Sequence, residues 1–494
     1  MTGHSRANDS VQLPETTPSA SGVARATTAA VWTLFALSLA TAAISVANGA
    51  AWRVPGVVAV DGLTAVVWVA VAFFSGIVHS YSRRYMAGDA AIDRLFALTF
   101  GFTLAVMVVA AADHVALFAA AWVAMGLTMA ELIGHARGWE QAQAAETLTR
   151  RYFLASGGAL AGALALLAWA TGTTTISGIL AHAGTLSPEV AWLAILGLFL
   201  AAMIQSALFP FHDWLLSSMT APTPASALMH AGFVNAGGIL LARFAPVFAD
   251  IPTAMAVLVV VGAASALVGQ ALLLVRPDVK RRLGGSTVAQ MGFMILQCGL
   301  GFFAAAITHL ILHGFYKAYL FLSSGSAVEQ TAPVEHSRSG ASLPSLVVGL
   351  GAAVVGGAVF VALTGKGTEP DSGLVLAGLV ALTALHAARD ALERANLSPG
   401  AALVVLPVIV VVPVAVYGVL FTAVATVLAG VPMTHAPTDL SAVHGIVAAA
   451  FLAAYLAVER GWHESSTRLY VALLNLSQPA PETELTTAEN YNDA

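Results

Sequence analysis

Three side chains in one short stretch could hand a proton along. His309, His313 and Lys317 recur every four positions in Thr308-His309-Leu310-Ile311-Leu312-His313-Gly314-Phe315-Tyr316-Lys317. In a helix that spacing sets all three on one stripe. Imidazole takes up or releases a proton near neutral pH, and an amine withdrawn from water titrates lower than one in it. The residues between them are apolar, and ionisable groups inside an apolar span are costly, so they mark an ion path or a buried pair. For one histidine, satisfaction of a neighbouring helix would be the better reading; three stacked groups favour transport. A zinc site is not expected, because no HExxH glutamate or convergent carboxylate accompanies them.

A second polar set surrounds a proline-rich segment and comprises Gln205, His212, Asp213, His230, Asn235, Gly237 and Gly238. Pro210, Pro222 and Pro224 bracket residues 211–221, so a span is expected to break there. Backbone freed inside a bilayer survives only within protein or beside a wet cavity, which makes the break a candidate functional site. His230 follows the small residues Ala225-Ser226-Ala227, where helices approach closely, and a path role and a packing role fit it equally. Asp213 beside Trp214 reads as a membrane-interface pair, and Pro407 with Pro413 as kinks in one structural helix. Weaker path candidates are Asp61, Asp113, His114, Glu131, His386, Arg389 and Asp390. Of these, Arg389 suits a structural pair with Asp390 or with a carboxylate on another helix. Glu131, near the end of its span, suits an interfacial position as well as a buried one.

The elements that must position these residues follow from composition. Of 494 residues, 58% are hydrophobic and 10% charged, and the mean hydropathy is +0.82; only a membrane accommodates such a chain. Apolar runs of about twenty residues recur almost end to end, each long enough to cross a bilayer as a helix. The fold class is therefore an all-α polytopic membrane protein with about 14 transmembrane helices. Residues 1–24 read as a disordered tail, 25–460 as the transmembrane domain and 461–494 as a C-terminal tail. Arg83 and Arg84, Arg137 with Arg150 and Arg151, and Arg276 with Lys280, Arg281 and Arg282 gather in connections counted to one side. The positive-inside rule puts that side, with both termini, in the cytoplasm, and the chain in the cell's inner membrane. The net charge of −5 makes no case for nucleic acid. A lone cysteine, Cys298, excludes disulfides and thiolate clusters. Without a phosphate loop or nucleophile elbow, no cofactor and no enzymatic site are expected, so energy must come from an ion gradient or another subunit.

The stretch Gln205-Ser-Ala-Leu-Phe-Pro-Phe-His-Asp-Trp-Leu215, followed by Ala221-Pro-Thr-Pro-Ala-Ser-Ala-Leu-Met-His230, resembles the signature of the proton-conducting subunits of NADH:quinone oxidoreductase and of Mrp-type antiporters. The similarity extends to Pro277-Asp-Val-Lys-Arg281, to Ser286-Thr-Val-Ala-Gln-Met-Gly292, through residues 309–326, and upstream to His79-Ser-Tyr-Ser-Arg-Arg-Tyr-Met-Ala-Gly-Asp89. It implies two inverted repeats with discontinuous helices and a polar axis along the midplane. On that fold His230, Lys280, His309, His313 and Lys317 match positions of the proton path. The chain departs where the respiratory L-type subunit has a Trp-Glu pair, reading Trp122-Val123, and where that family has a lysine, reading Gln205.

With Phe211-His-Asp-Trp214 and residues 468–482, these departures look most like the DabB family. Its members are the membrane subunits of two-component inorganic-carbon pumps whose partner, DabA, resembles a zinc β-type carbonic anhydrase. The resemblance implies that H+ or Na+ flows inward and drives a DabA-like subunit to hydrate CO2 to bicarbonate. His309, His313 and Lys317 would relay, His230 would join the broken helix to them, and Lys280 would tune the local potential. Two other readings stand beside it: a subunit of a respiratory complex or Mrp antiporter, and a non-conducting scaffold for a cytosolic enzyme.

Overall fold

A computed structural model describes residues 21–49, 51–276, 278–327, 343–395 and 399–484. Most of the expected N-terminal tail, Pro277 and residues 485–494 lie outside the described residues. The chain is a helical bundle: α1 (Gly22–Asn48), a small hairpin of β1 (Trp52–Val54) and β2 (Val58–Val60), α2 (Gly62–Tyr85), α3 (Ile92–Ala111), α4 (Val115–Ile133), α5 (Glu140–Thr171), α6 (Ile176–Ala181) and α7 (Pro188–Gln205). There follow α8 (Asp213–Ser217), α9 (Thr223–Ala231), α10 (Ala236–Arg243), α11 (Ala245–Phe248), α12 (Pro252–Val275), α13 (Val279–Gly299) and α14 (Phe303–Leu322). The last set is α15 (Leu343–Thr364), α16 (Gly373–Ala395), α17 (Pro399–Val427), α18 (Ala442–Glu459), α19 (Trp462–Ser465) and α20 (Thr467–Leu476).

Among the described residues twelve helices are long and apolar enough to cross a membrane, counting α9 and α10 as one span. Helices α13 and α14, of 21 and 20 residues, reach the needed length but carry the polar side chains that lower their hydropathy. Helices α12, α13, α14 and α9 pack in series. The expected span count is met once these two are included.

The ends of the spans sort by charge. The Ser21 hydroxyl donates to Asp93 at the start of α3, and Arg276 Nε donates to Ser477 Oγ at 2.8 Å just after α20. Both described chain ends thus lie on the face that gathers Arg83, Arg84, Arg137, Arg150 and Arg276, here called the near face. Of the described lysines and arginines, only Arg53, Arg243 and Lys366 lie toward the far face.

One expectation is corrected. Residues 211–221 do not interrupt a span: they form a loop at the near face holding the short α8, and the side chains of Trp214, Leu215 and Leu216 are buried. Pro222 and Pro224 start α9 instead of breaking it, because the first helical turn needs no proline N–H. The break lies further on, where Gly232 (φ −123°, ψ −66°) leaves the helix and Phe233–Asn235 turns as a 3-10 segment before α10. Its freed carbonyls are answered by side chains: Asn235 Nδ2 donates to Ala231 O at 2.8 Å, and Ser206 Oγ donates to Val234 O at 2.6 Å. Helix α17 runs unbroken through Pro407 and Pro413, as a single structural helix should.

Glycine sets the spacing of α12 and α13. A Cβ on Gly292 of α13 would lie 2.3 Å from Ala266 N of α12, and one on Gly269 would lie 2.2 Å from Ala289 N. The two helices therefore meet backbone to backbone, as small-residue interfaces allow in a membrane. Gly292→Val should force α12 and α13 apart and cost about 1–3 kcal/mol. Thermal unfolding of the purified protein in detergent tests this; an unchanged midpoint would show that the contact gives way freely.

Candidate functional site

Helix α14 delivers the predicted stripe. The rings of His309 and His313 lie 6.0 Å apart and 12° from parallel, so the four-residue spacing does stack them. His309 also meets the ring of Phe293 at 5.5 Å. One turn further toward the near face, Lys317 is fully buried, and its ammonium donates to Leu283 O of α13 at 2.9 Å.

That carbonyl is the junction of the site. The Thr287 hydroxyl also donates to Leu283 O, at 2.8 Å, and lies 2.9 Å from His230 Nδ1. Because a hydroxyl has one hydrogen, Thr287 must accept from His230, which assigns the ring proton to Nδ1 and leaves Nε2 bare. A chain of contacts thus runs from Lys317 on α14, through α13, to His230 in the last turn of α9, immediately before the mid-membrane break. The His230 ring stacks on Phe321 at 4.3 Å and 17°, which fixes its plane.

What is missing around these rings matters as much. His230 Nε2, His309 Nε2 and both ring nitrogens of His313 are buried with no hydrogen-bond partner among the described residues. Buried polar atoms are nearly always bonded to protein or to ordered water. Lys280, at the head of α13, donates to Ala221 O at 3.2 Å. With Tyr81, Tyr85, Thr223 and Ser324 it lines a cavity of about 460 Å³ at the near face. The five expected path residues therefore fall on three adjoining helices.

The remaining candidates lie elsewhere. Gln205 closes α7 in a neutral set: Trp122 Nε1 donates to Ser156 Oγ at 3.0 Å, the Ser156 hydroxyl lies 3.3 Å from Gln205 Oε1, and Gln205 Nε2 has no partner among the described residues. Val123 packs on the adjoining helix, where a Cβ on Gly157 would meet it at 2.5 Å. His212 and Asp213 sit at the near face, where His212 Nε2 donates to Leu476 O at 3.3 Å. Glu131 binds Arg94, Arg137 at 2.7 Å and Arg150 at 2.8 Å in a cluster at the near face. Asp61 caps α2 and pairs with Arg243. Asp113 accepts from the Ser177 amide and hydroxyl at 2.7 and 2.9 Å, and His114 caps α4. Arg389 pairs at 2.6 Å with Glu459 of α18, toward which His386 also turns at 3.7 Å; Asp390 follows Arg389 on the same helix, α16.

Sequence reasoning passed over Thr287, whose type carries no titration signal, and Glu146, 5% exposed, which joins the Glu131 cluster through Arg150 four residues on. It also passed over His79, buried in α2 with Nδ1 donating to Ser75 O at 2.8 Å and Nε2 without a hydrogen-bond partner among the described residues. Among the described residues no three His, Cys, Asp or Glu side chains converge as metal ligands would.

Residues 112–355 match the family model described as "NADH:quinone oxidoreductase/Mrp antiporter, TM", and residues 50–96 match "NADH-Ubiquinone oxidoreductase (complex I), chain 5 N-terminus". The "Probable inorganic carbon transporter subunit DabB" of Bacillus subtilis is 36% identical over 349 residues, covering 69% of this chain and 68% of that protein. Its counterpart in Bacillus anthracis is 39% identical over 312 residues, or 61% of this chain, and the match spans 59% of that relative's length. Among solved structures, the Mrp complex from Dietzia is similar with a TM-score of 0.56 and 26% identity, over 94% of this chain and 52% of that one. The chain belongs to the DabB family, within the antiporter-like membrane proteins of the NADH:quinone oxidoreductase and Mrp type.

Proposed function

We propose that this chain is the proton-conducting membrane subunit of an inorganic-carbon uptake pump, working in the inner membrane with a DabA-like, carbonic-anhydrase-type partner. The observation that carries the reading is the set of open ring nitrogens on His230, His309 and His313, held beside a buried amine and joined to it through Thr287 and Leu283 O. Leaving so many polar atoms unmade in hydrocarbon is costly unless water links them, and a wet imidazole file carries protons. The file consists of nitrogen bases, whereas a dehydrated hard cation needs several oxygen ligands. That favours H+ over Na+. By the positive-inside rule the near face is cytoplasmic, with both described ends of the chain on it.

Chemistry on CO2 is assigned to the partner, since a catalytic zinc needs three protein ligands and none converge among the described residues. A respiratory role is disfavoured by the neutral Trp122, Ser156 and Gln205 set, which occupies the place where the respiratory relatives hold a charged pair. Co-purification with iron–sulfur subunits would support that rival.

Growth in ambient air tests the proposal. A carbonic-anhydrase-deficient bacterium should be rescued by this chain together with a DabA-like subunit and by neither alone. The Lys317→Ala pair should assemble and fail to rescue; rescue by that pair would remove the lysine from the path.

His313 gives a second, sharper expectation. Neither of its ring nitrogens bonds a protein group among the described residues, so His313→Phe keeps shape and breaks no bond to the protein, which leaves the fold close to its wild-type stability or above it. Proton flux into proteoliposomes holding the complex should fall at least about tenfold while the melting temperature holds or rises. Lost stability with retained flux would mark a packing histidine.

A further inference from the structure

The far face holds a buried amine outside the file of His309, His313 and Lys317. Lys366 lies in the connection between α15 and α16 and is 3% exposed. Its Nζ has no hydrogen-bond partner among the described residues, although an ammonium carries three donors. Instead it stands over the ring of Phe421 in α17, 3.2 Å from the centroid, and 5.5 Å from that of Phe302. Burial pushes its titration down to about 7.

The surroundings tie this amine to the head of α14. Phe302 caps that helix, and His309 lies two turns further in, about 10 Å along the axis. On the opposite side of the cage, the Phe421 ring stacks on Tyr417 at 6.3 Å and 7°. The Tyr417 hydroxyl lies beside the buried Gln297 carboxamide without meeting hydrogen-bond geometry. One turn back from Gln297 on α13 is Phe293, which touches His309. Outward, the exposed His435 meets the Phe302 ring at 5.5 Å and shares the Lys366 neighbourhood with Asp371. The connection is pinned in place: Ser372 Oγ donates to Leu300 O at 2.7 Å, Ala436 N donates to Gly301 O at 2.9 Å, and a Cβ on Gly301 would lie 1.7 Å from Ala436 O.

We propose that Lys366 is the far-face terminus of the proton path, receiving protons from the far side by way of His435 and passing them through water beside Tyr417 and Gln297 to His309. The inference rests on the conduction reading above and adds a residue and a gate to it. A proton taken from water by the neutral amine gives an ammonium held over Phe421; its release toward His309 restores the amine, so charge and atoms balance over a cycle. The competing role is a cation standing on aromatic rings only to hold the 365–372 connection.

Arginine separates the two, because a guanidinium keeps the cation and stacks on aromatic faces but does not deprotonate in proteins. The complex with its partner is reconstituted in proteoliposomes with an internal pH dye, as wild type, Lys366→Arg and Lys366→Met. Both variants should slow acid-driven flux at least about tenfold, with Lys366→Arg assembling and melting as wild type does. Wild-type flux in Lys366→Arg would overturn the terminus and leave the structural role. No flux in the wild type would instead overturn the conduction reading, and this proposal with it. Should the arginine variant fail to assemble, the wild-type protein still decides. With three lysines in the chain, lysine-selective isotope labelling gives three side-chain signals, assigned by Lys280→Arg and Lys317→Arg. A Lys366 signal that titrates below an exposed lysine supports the gate; one that stays charged through pH 10 overturns it.

Discussion

A hydroxyl and a carbonyl at one point in α13 hold the site together. Leu283 O accepts from both Lys317 and Thr287, and Thr287 accepts from His230. Without that junction, a buried ammonium and a buried imidazole on separate helices would each lack a partner in hydrocarbon, an expensive state for either. The junction forms because α13 can approach its neighbours closely. Its small residues let α12 press on one side, while the mid-membrane break after His230 ends α9 where the imidazole meets Thr287. Asn235 and Ser206 answer the carbonyls that the break releases, so the discontinuity is satisfied locally.

Around the junction the histidines are held differently. Phe321 fixes the plane of His230, and Phe293 backs His309, yet their Nε2 atoms and both nitrogens of His313 meet no partner among the described residues. A structural histidine would be expected to bond both. Charged side chains pair at the faces: the Glu131 and Glu146 cluster, Asp61 with Arg243, and Arg389 with Glu459. Ion pairs thus gather at the rim, while the imidazoles of α9 and α14 sit in the middle.

The sequence carried the stripe on α14 plainly, because titratable groups spaced by four inside an apolar run must share one helical face. It also carried the gathering of arginines in connections that share one face. The position of the break was misread from Pro222 and Pro224, since proline type alone does not tell a helix start from a helix interruption; the deciding residue was Gly232, which has no polar signature. Thr287 escaped notice because threonine is common in helices and acquires meaning only from its contacts. Lys366 was hidden for a related reason: in sequence it follows Gly365 between two apolar runs, and only the fold buries it beneath Phe302 and Phe421.

The central claim is that the open nitrogens of His230, His309 and His313 are bridged by water into one file reaching Lys317. A cryo-electron microscopy map of the complex in nanodiscs, at a resolution that shows ordered water, tests it most directly. The account predicts density within about 3 Å of His230 Nε2, His309 Nε2 and at least one His313 nitrogen, continuous from the file to the near-face cavity at Lys280. Rings packed dry against apolar side chains, with no water density on any of those nitrogens, would contradict it.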